Sequence, residues 1–175
     1  MRNIIISIFL FLTFLCSCSE KNKPELEWLE KEKTLWDGKQ YTDPGKAIEY
    51  LNNAIKLQQN NAETYNKRGL AYYELGQYQR TIEDNSEAIR LNPDYVVAYN
   101  NRGTAYAKLG HYQKAIEDYK QVIRLKSNYA DTYNNRGVVY ILQGNKELGC
   151  SDFKKACKLG NCKRLKEAKA RGYCR

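Results

Sequence analysis

A period of 34 residues constrains this chain more than any other feature. Laid out at that spacing, residues 62–95, 96–129 and 130–163 superpose, with Tyr65, Tyr99 and Tyr133 at position 4 and Gly69, Gly103 and Gly137 at position 8. Tyr72, Tyr106 and Tyr140 follow at position 11, and Gly76, Gly110 and Gly144 at position 15. Positions 4, 8 and 11 fall on one stripe of a helix, where the glycine lets a neighbouring helix come close, and the glycine at 15 ends that helix. Position 20 holds Thr81, Ala115 and Gly149 and position 27 holds Ala88, Val122 and Ala156, which gives a second helix a seam of small residues. Each repeat therefore reads as a helical hairpin, and stacked hairpins of this period bury a continuous core that no single one could supply.

Within that frame, Tyr99-Asn100-Asn101-Arg102-Gly103 and Ala115-Ile116-Glu117-Asp118-Tyr119 resemble bacterial tetratricopeptide repeats (TPR). The resemblance covers about three quarters of the chain and implies an all-α, right-handed TPR solenoid of helical hairpins with a C-terminal capping helix. Residues 25–61 read as a degenerate repeat or cap, with Ala47, Leu51, Ala54 and Leu57 in register with the second helix. Asp43 and Pro44 supply its N-cap and first helical residue, and 25–36 suits an atypical capping helix with Trp28 and Trp36 over the end of the stack.

By the same resemblance, the first helices line a groove that holds a protein or peptide. The groove positions select Asn66, Asn100 and Asn134, then Lys67, Asn101 and Asn135, with Leu70, Thr104, Val138, Tyr73, Ala107 and Ile141 on the same wall. Asparagine both donates and accepts, so a ladder of three can follow the amides of a bound peptide. Asn-Asn-Arg-Gly is also common in such repeats whatever they bind. The carboxylate clamp of chaperone-binding relatives is not matched, because Asn66 and Asp131 stand where it needs basic residues.

Arginine recurs at position 7 (Arg68, Arg102, Arg136), where the family has leucine, and aspartate recurs at position 23 (Asp84, Asp118, Asp152). Both are lost together in the degenerate repeat, where Thr34 and Tyr50 stand in those places. The expectation is an Arg–Asp pair clamping the two helices of each repeat.

Residues 1–17 read as a leader: Arg2 opens it and an apolar run fills 4–15. A helix of that length spans roughly 18 Å, too short for a bilayer core of about 30 Å. Leu15-Cys16-Ser17-Cys18 resembles the lipobox of bacterial lipoproteins, which makes Cys18 the expected lipid acceptor, with 18–24 as a polar tether. An ordinary cleaved leader is the alternative. The expected location is the cell envelope, as a membrane-anchored lipoprotein of the outer membrane facing the periplasm.

Cys150, Cys157, Cys162 and Cys174 crowd the last 26 residues, and in an exported chain that suggests disulfides. Cys150 and Cys157 would sit about 10 Å apart along one helix, beyond disulfide reach. If the chain turns at Gly160-Asn161 and 162–171 returns antiparallel as the capping helix of a segment 162–175, Cys157 faces Cys162 and Cys150 faces Cys174. A zinc site is the alternative, although the close Cys-x-x-Cys pairs of common zinc modules are missing.

Charge is segregated as well. Residues 18–152 hold nineteen basic and nineteen acidic side chains, whereas 153–175 hold nine basic residues and only Glu167. A solvated helix face explains this; an acidic envelope component or anionic lipid is the functional alternative, and nucleic acid is not expected as a partner of an exported chain. No catalytic residue, cofactor or metal site is expected: the single histidine, His111, follows a turn glycine, and there is no nucleophile elbow, zinc-protease motif or phosphate loop. The function that follows is a non-enzymatic interaction scaffold or assembly factor, with a structural protein binding peptidoglycan or anionic lipid as the alternative.

Overall fold

The computed structural model describes residues 23–175, which contain nine α-helices and divide into two compact units between residues 59 and 60. Cys16, Cys18 and the leader lie outside the described residues. Among the described residues no helix is long and apolar enough to cross a membrane.

In the first unit, α1 (Pro24–Lys33) packs on α2 (Pro44–Leu57). Asp43 caps α2 by accepting from the Lys46 amide at 3.0 Å, with Pro44 as first helical residue. Ala47, Leu51 and Ala54 are the buried face of α2. Helix α1 stops short of the expected 36: the Leu35 and Trp36 amides bond three residues back, to Glu32 and Lys33, and Trp36 then pairs with Tyr41 in an isolated antiparallel bridge. Behind that turn, buried Glu32 accepts from the Tyr41 hydroxyl. Trp28 stacks on Tyr50 at 5.8 Å, so the position-23 tyrosine of this degenerate repeat packs on an aromatic ring.

The second unit is an all-α TPR solenoid. Helices α3 (Ala62–Glu74) and α4 (Tyr78–Leu91), α5 (Val96–Lys108) and α6 (Tyr112–Leu125), and α7 (Ala130–Leu142) and α8 (Lys146–Lys158) form three hairpins, followed by α9 (Lys163–Ala170) against α8. Each first helix closes on a glycine with positive φ, 72° at Gly76, 77° at Gly110 and 82° at Gly144, a conformation that other residues adopt at a cost. Inside each hairpin a second glycine sets the spacing: a Cβ on Gly103 would meet Tyr119 Cε1 at 2.9 Å and Asp118 Cβ at 3.2 Å. The small-residue seam lies fully inside, with Thr81, Ala88, Ala115, Val122 and Ala156 each 0% exposed. Between hairpins, α4 packs on α5 and α6 on α7, while the first helices α3, α5 and α7 touch in succession.

Ile116, Tyr119 and Val139 form the central core cluster with Ala115. A buried side chain of this size contributes about 1.5–3 kcal/mol. Burial pushes the Tyr119 phenol up to about 12, although its hydroxyl donates to Thr104 Oγ1 at 3.2 Å. An unfolded tyrosine releases its proton near pH 10, so the folded pKa is the higher one; the contribution is complete below about pH 10 and lost as pH rises towards 12. The unfolding free energy should therefore fall between those two values. In Tyr119→Phe, titrated by denaturant unfolding at each pH, that alkaline slope should flatten.

Candidate functional site

The contacting first helices α3, α5 and α7 build one wall. Leu70 and Tyr73 from α3 meet Asn100, Asn101 and Thr104 from α5 around a pocket of about 200 Å3. These are groove positions of two successive repeats, so one side of the pocket is apolar and the other offers two amides and a hydroxyl. The hydroxyl is partly engaged, since Thr104 donates to the Asn100 carbonyl at 2.8 Å. Asn100 Oδ1 also accepts from Thr132 at 3.1 Å and from Asn135 at 3.5 Å, which links the second and third repeats across the wall. Lys67 is half-buried beside Glu63, at 3.5 Å.

The asparagine ladder needs correction at its two ends. Asn66 and Asn134 are only 6% and 5% exposed, so they belong to the hairpin interior and do not present free amides to a partner. Asn66 Nδ2 donates to Asn85 Oδ1 at 2.7 Å, and Asn85 in turn donates to the Thr81 carbonyl at 2.8 Å. In the third repeat Phe153 stands where Asn85 stands in the first, and Asn134 Oδ1 is buried without a hydrogen-bond partner among the described residues. The period alone hides this, because Asn66, Asn100 and Asn134 share position 5 while their partners differ: Asn66 meets Asn85 of its own hairpin, whereas Asn100 meets Thr132 and Asn135 of the next repeat. The two variants should behave differently. Asn66→Ala leaves buried Asn85 short of a partner and should cost about 1–3 kcal/mol, whereas Asn134→Ala removes an unsatisfied group and should cost much less. Denaturant midpoints of the two variants check this.

Opposite the wall, the three Arg–Asp pairs join the helices of each hairpin. Arg68 Nε and Nη2 donate to Asp84 at 2.8 and 2.6 Å, Arg102 to Asp118 at 2.9 and 2.7 Å, and Arg136 to Asp152 at 2.8 and 2.8 Å. Burial pushes the Asp84 and Asp118 carboxyls up, and the paired guanidiniums offset that only in part. Each guanidinium also lies between two tyrosine rings of its own helix: Arg102 is 5.6 Å from the Tyr99 centroid and 6.0 Å from that of Tyr106. The same holds for Arg68 with Tyr65 and Tyr72, and for Arg136 with Tyr133 and Tyr140. That stacking is legible as tyrosine at positions 4 and 11 flanking arginine at 7, since steps of three and four keep one helix face. Arg102 adds a link between repeats by donating to Ser86 Oγ at 3.1 Å.

At the far end, disulfides join Cys150 to Cys174 and Cys157 to Cys162. Cys150, Phe153, Ala168 and Cys174 form a second buried cluster with Val138, Ile141 and Leu165 packed against it. Among the described residues no group of three or more His, Cys, Asp or Glu could hold a metal ion. The turn residue His111 is exposed, with its ring 6.1 Å from that of Tyr106.

No curated protein matches the chain significantly in sequence. Its fold is similar to the crystal structure of MamA at 29% identity and a TM-score of 0.72, over 89% of this chain and 87% of that one. The Arabidopsis OM64 TPR domain is similar at 27% identity and a TM-score of 0.63, over 67% of this chain and 94% of that one. The first TPR of Spaghetti (RPAP3), bound to the HSP90 peptide SRMEEVD, shares the fold at 23% identity and a TM-score of 0.65, over 69% of this chain and 93% of that one. The TPR repeat family model matches residues 45–76, 70–110 and 105–144, and a further tetratricopeptide repeat model matches 130–159. With period, hairpin geometry and family models in agreement over most of its length, this chain belongs to the tetratricopeptide-repeat family.

Proposed function

We propose that this chain is a non-enzymatic protein-interaction scaffold or assembly factor, held at a bacterial cell envelope by a lipid on Cys18. The observation that carries the interaction reading is the pocket between α3 and α5, where Leu70 and Tyr73 offer apolar contact beside the amides of Asn100 and Asn101. Such a mixed surface suits a peptide, whose side chains want apolar area and whose backbone wants donors and acceptors. The peptide complex of the Spaghetti repeat shows that this fold can hold one. Here Asn66 and Asp131 replace the basic residues of a carboxylate clamp, so the pocket favours an internal segment over a free C-terminus.

The envelope part rests on the apolar run at 4–15 and on Leu15-Cys16-Ser17-Cys18. A single acyl chain binds membranes only marginally, and bacterial lipoproteins carry more than one. Cys18→Ser should therefore release the protein from the membrane fraction or leave it unprocessed, while Cys16→Ser should do neither. Fatty-acid label persisting on Cys18→Ser would overturn the anchor. The interaction reading is tested by capture from envelope extracts with wild type and Asn101→Arg side by side: discrete proteins lost from the variant at an unchanged unfolding midpoint support it. Recovery of glycan or lipid alone favours the second reading, a structural protein binding peptidoglycan or anionic lipid, to which the basic segment 153–175 lends its weight.

A further inference from the structure

The wall changes character at its C-terminal end. At positions 9, 12 and 13 the first repeat has Leu70, Tyr73 and Glu74 and the second has Thr104, Ala107 and Lys108, but the third has Val138, Ile141 and Leu142. Leu142 thus stands where the preceding repeats carry charge, and it is 58% exposed, the most of any large apolar side chain among the described residues. It continues an apolar strip with Val138 and Ile141, which pack on the buried cluster of Cys150, Phe153, Ala168 and Cys174.

Helix α9 supplies the other side. Arg164 in its first turn and Arg171, the residue that caps its C-terminus, lie seven apart on one side with Ala168 between them, and they border a cleft of about 200 Å3 lined by Val138, Ile141, Leu142 and Phe153. Tyr173 completes the rim and is tied down by its neighbour Cys174, joined to Cys150. The only acidic side chain on this rim, Glu167, is engaged by Arg164 at 2.9 Å, while Arg171 has no ion-pair partner among the described residues. The segment 153–175 to which both arginines belong carries nine cations and one side-chain carboxylate. The cleft is smaller than the roughly 300–1,000 Å3 of small-molecule sites, and fits a side-chain anchor better than a cofactor.

We propose that this cleft docks an acidic peptide segment of a partner protein, with one aromatic or aliphatic side chain seated against Val138, Ile141 and Leu142 and flanking carboxylates on Arg171 and Arg164. The inference rests on the reading of the wall as a protein-binding surface and adds the chemistry of the ligand. Apolar area supplies the anchor, and the unbalanced positive charge selects for acidic flanks and against basic ones.

The test is fluorescence anisotropy on the oxidised full chain in detergent. The probe is an end-blocked, labelled hexapeptide with a phenylalanine and a leucine between two pairs of glutamates; its counterpart has lysines in place of the glutamates. The glutamate peptide should bind saturably and the lysine peptide at least tenfold more weakly. Arg171→Glu and Leu142→Asp, both at exposed positions, should each weaken binding about tenfold, and reduction of Cys150–Cys174 should weaken it by loosening the Tyr173 rim. Asn101→Arg, which blocks the α3–α5 pocket, should leave it unchanged, so failure here and failure of the general scaffold reading are distinguishable. Absence of saturable binding, equal binding of the two peptides, or indifference to Arg171→Glu overturns the proposal. So does saturable binding of phosphatidylglycerol vesicles without binding of the peptide, which would assign the surface to lipid.

Discussion

Breaking one Arg–Asp pair from either side should destabilise the repeats by on the order of 3 kcal/mol, because each single change strands a buried charge. Asp118 is the cleaner side: its side chain is 7% exposed, so Asp118→Ala leaves the Arg102 guanidinium, on a side chain only 20% exposed, without its carboxylate. Arg102→Met keeps the aliphatic stem between Tyr99 and Tyr106 while removing the guanidinium. The double variant removes both charges together and should cost clearly less than the sum of the single changes, with a coupling of about 2 kcal/mol in a double-mutant cycle. Strict additivity in urea unfolding would show that the bidentate geometry contributes nothing beyond two separate side chains. The pair depends on Gly103, since a Cβ there would push α5 away from Asp118 and Tyr119.

The second large effect belongs to the C-terminal hairpin. A solenoid is weakest at its ends, where a repeat has a neighbour on one side only, and this repeat lacks other repeats' assets: Gly149 replaces the seam residue and Lys146 the position-17 tyrosine. Gly149 is buried and permits close approach, as a Cβ there would meet Ile141 at 2.7 Å, but it contributes no side chain of its own. The bridge Cys150–Cys174 closes a loop of 24 residues and should stabilise by roughly 3 kcal/mol, the shorter Cys157–Cys162 by roughly 2. Reducing agent should therefore raise hydrogen exchange across 145–175 while 62–125 stays protected, because repeats open as coupled but separable units. Uniform loss of protection along the whole chain would contradict this, and peptide mapping that found four free thiols in the protein isolated from its native cells without reductant would remove its basis.

The hairpins were legible because a 34-residue period repeats residue types whose roles are local. Glycine at position 15 ends a helix wherever it occurs, and arginine at 7 faces aspartate at 23 in each of the three full repeats because the glycine at 8 fixes the helix spacing between them. The disulfide pairing followed from a single turn at Gly160, where φ is 99°. What stayed hidden depended on residues outside the periodic set. Asn66 and Asn134 occupy one position by period, yet only Asn66 finds an amide partner at position 24, where Asn85, Tyr119 and Phe153 differ in size and polarity. The early end of α1 had the same origin, since the Trp36–Tyr41 bridge pairs two residues within a turn that no repeat shares. The C-terminal cleft needed α9 in place, because Leu142 looks like an ordinary aliphatic until Arg164 and Arg171 stand across from it.

Whether the α3–α5–α7 wall is where a partner protein is held can be asked in the living cell by site-specific photocrosslinking. A photoreactive side chain is placed at Asn101, in the pocket beside Leu70 and Tyr73, or at Glu117, exposed on the second helix of the same repeat. Discrete protein adducts are expected from position 101 and none from position 117. Adducts of equal yield from both positions, or none from 101, would contradict this.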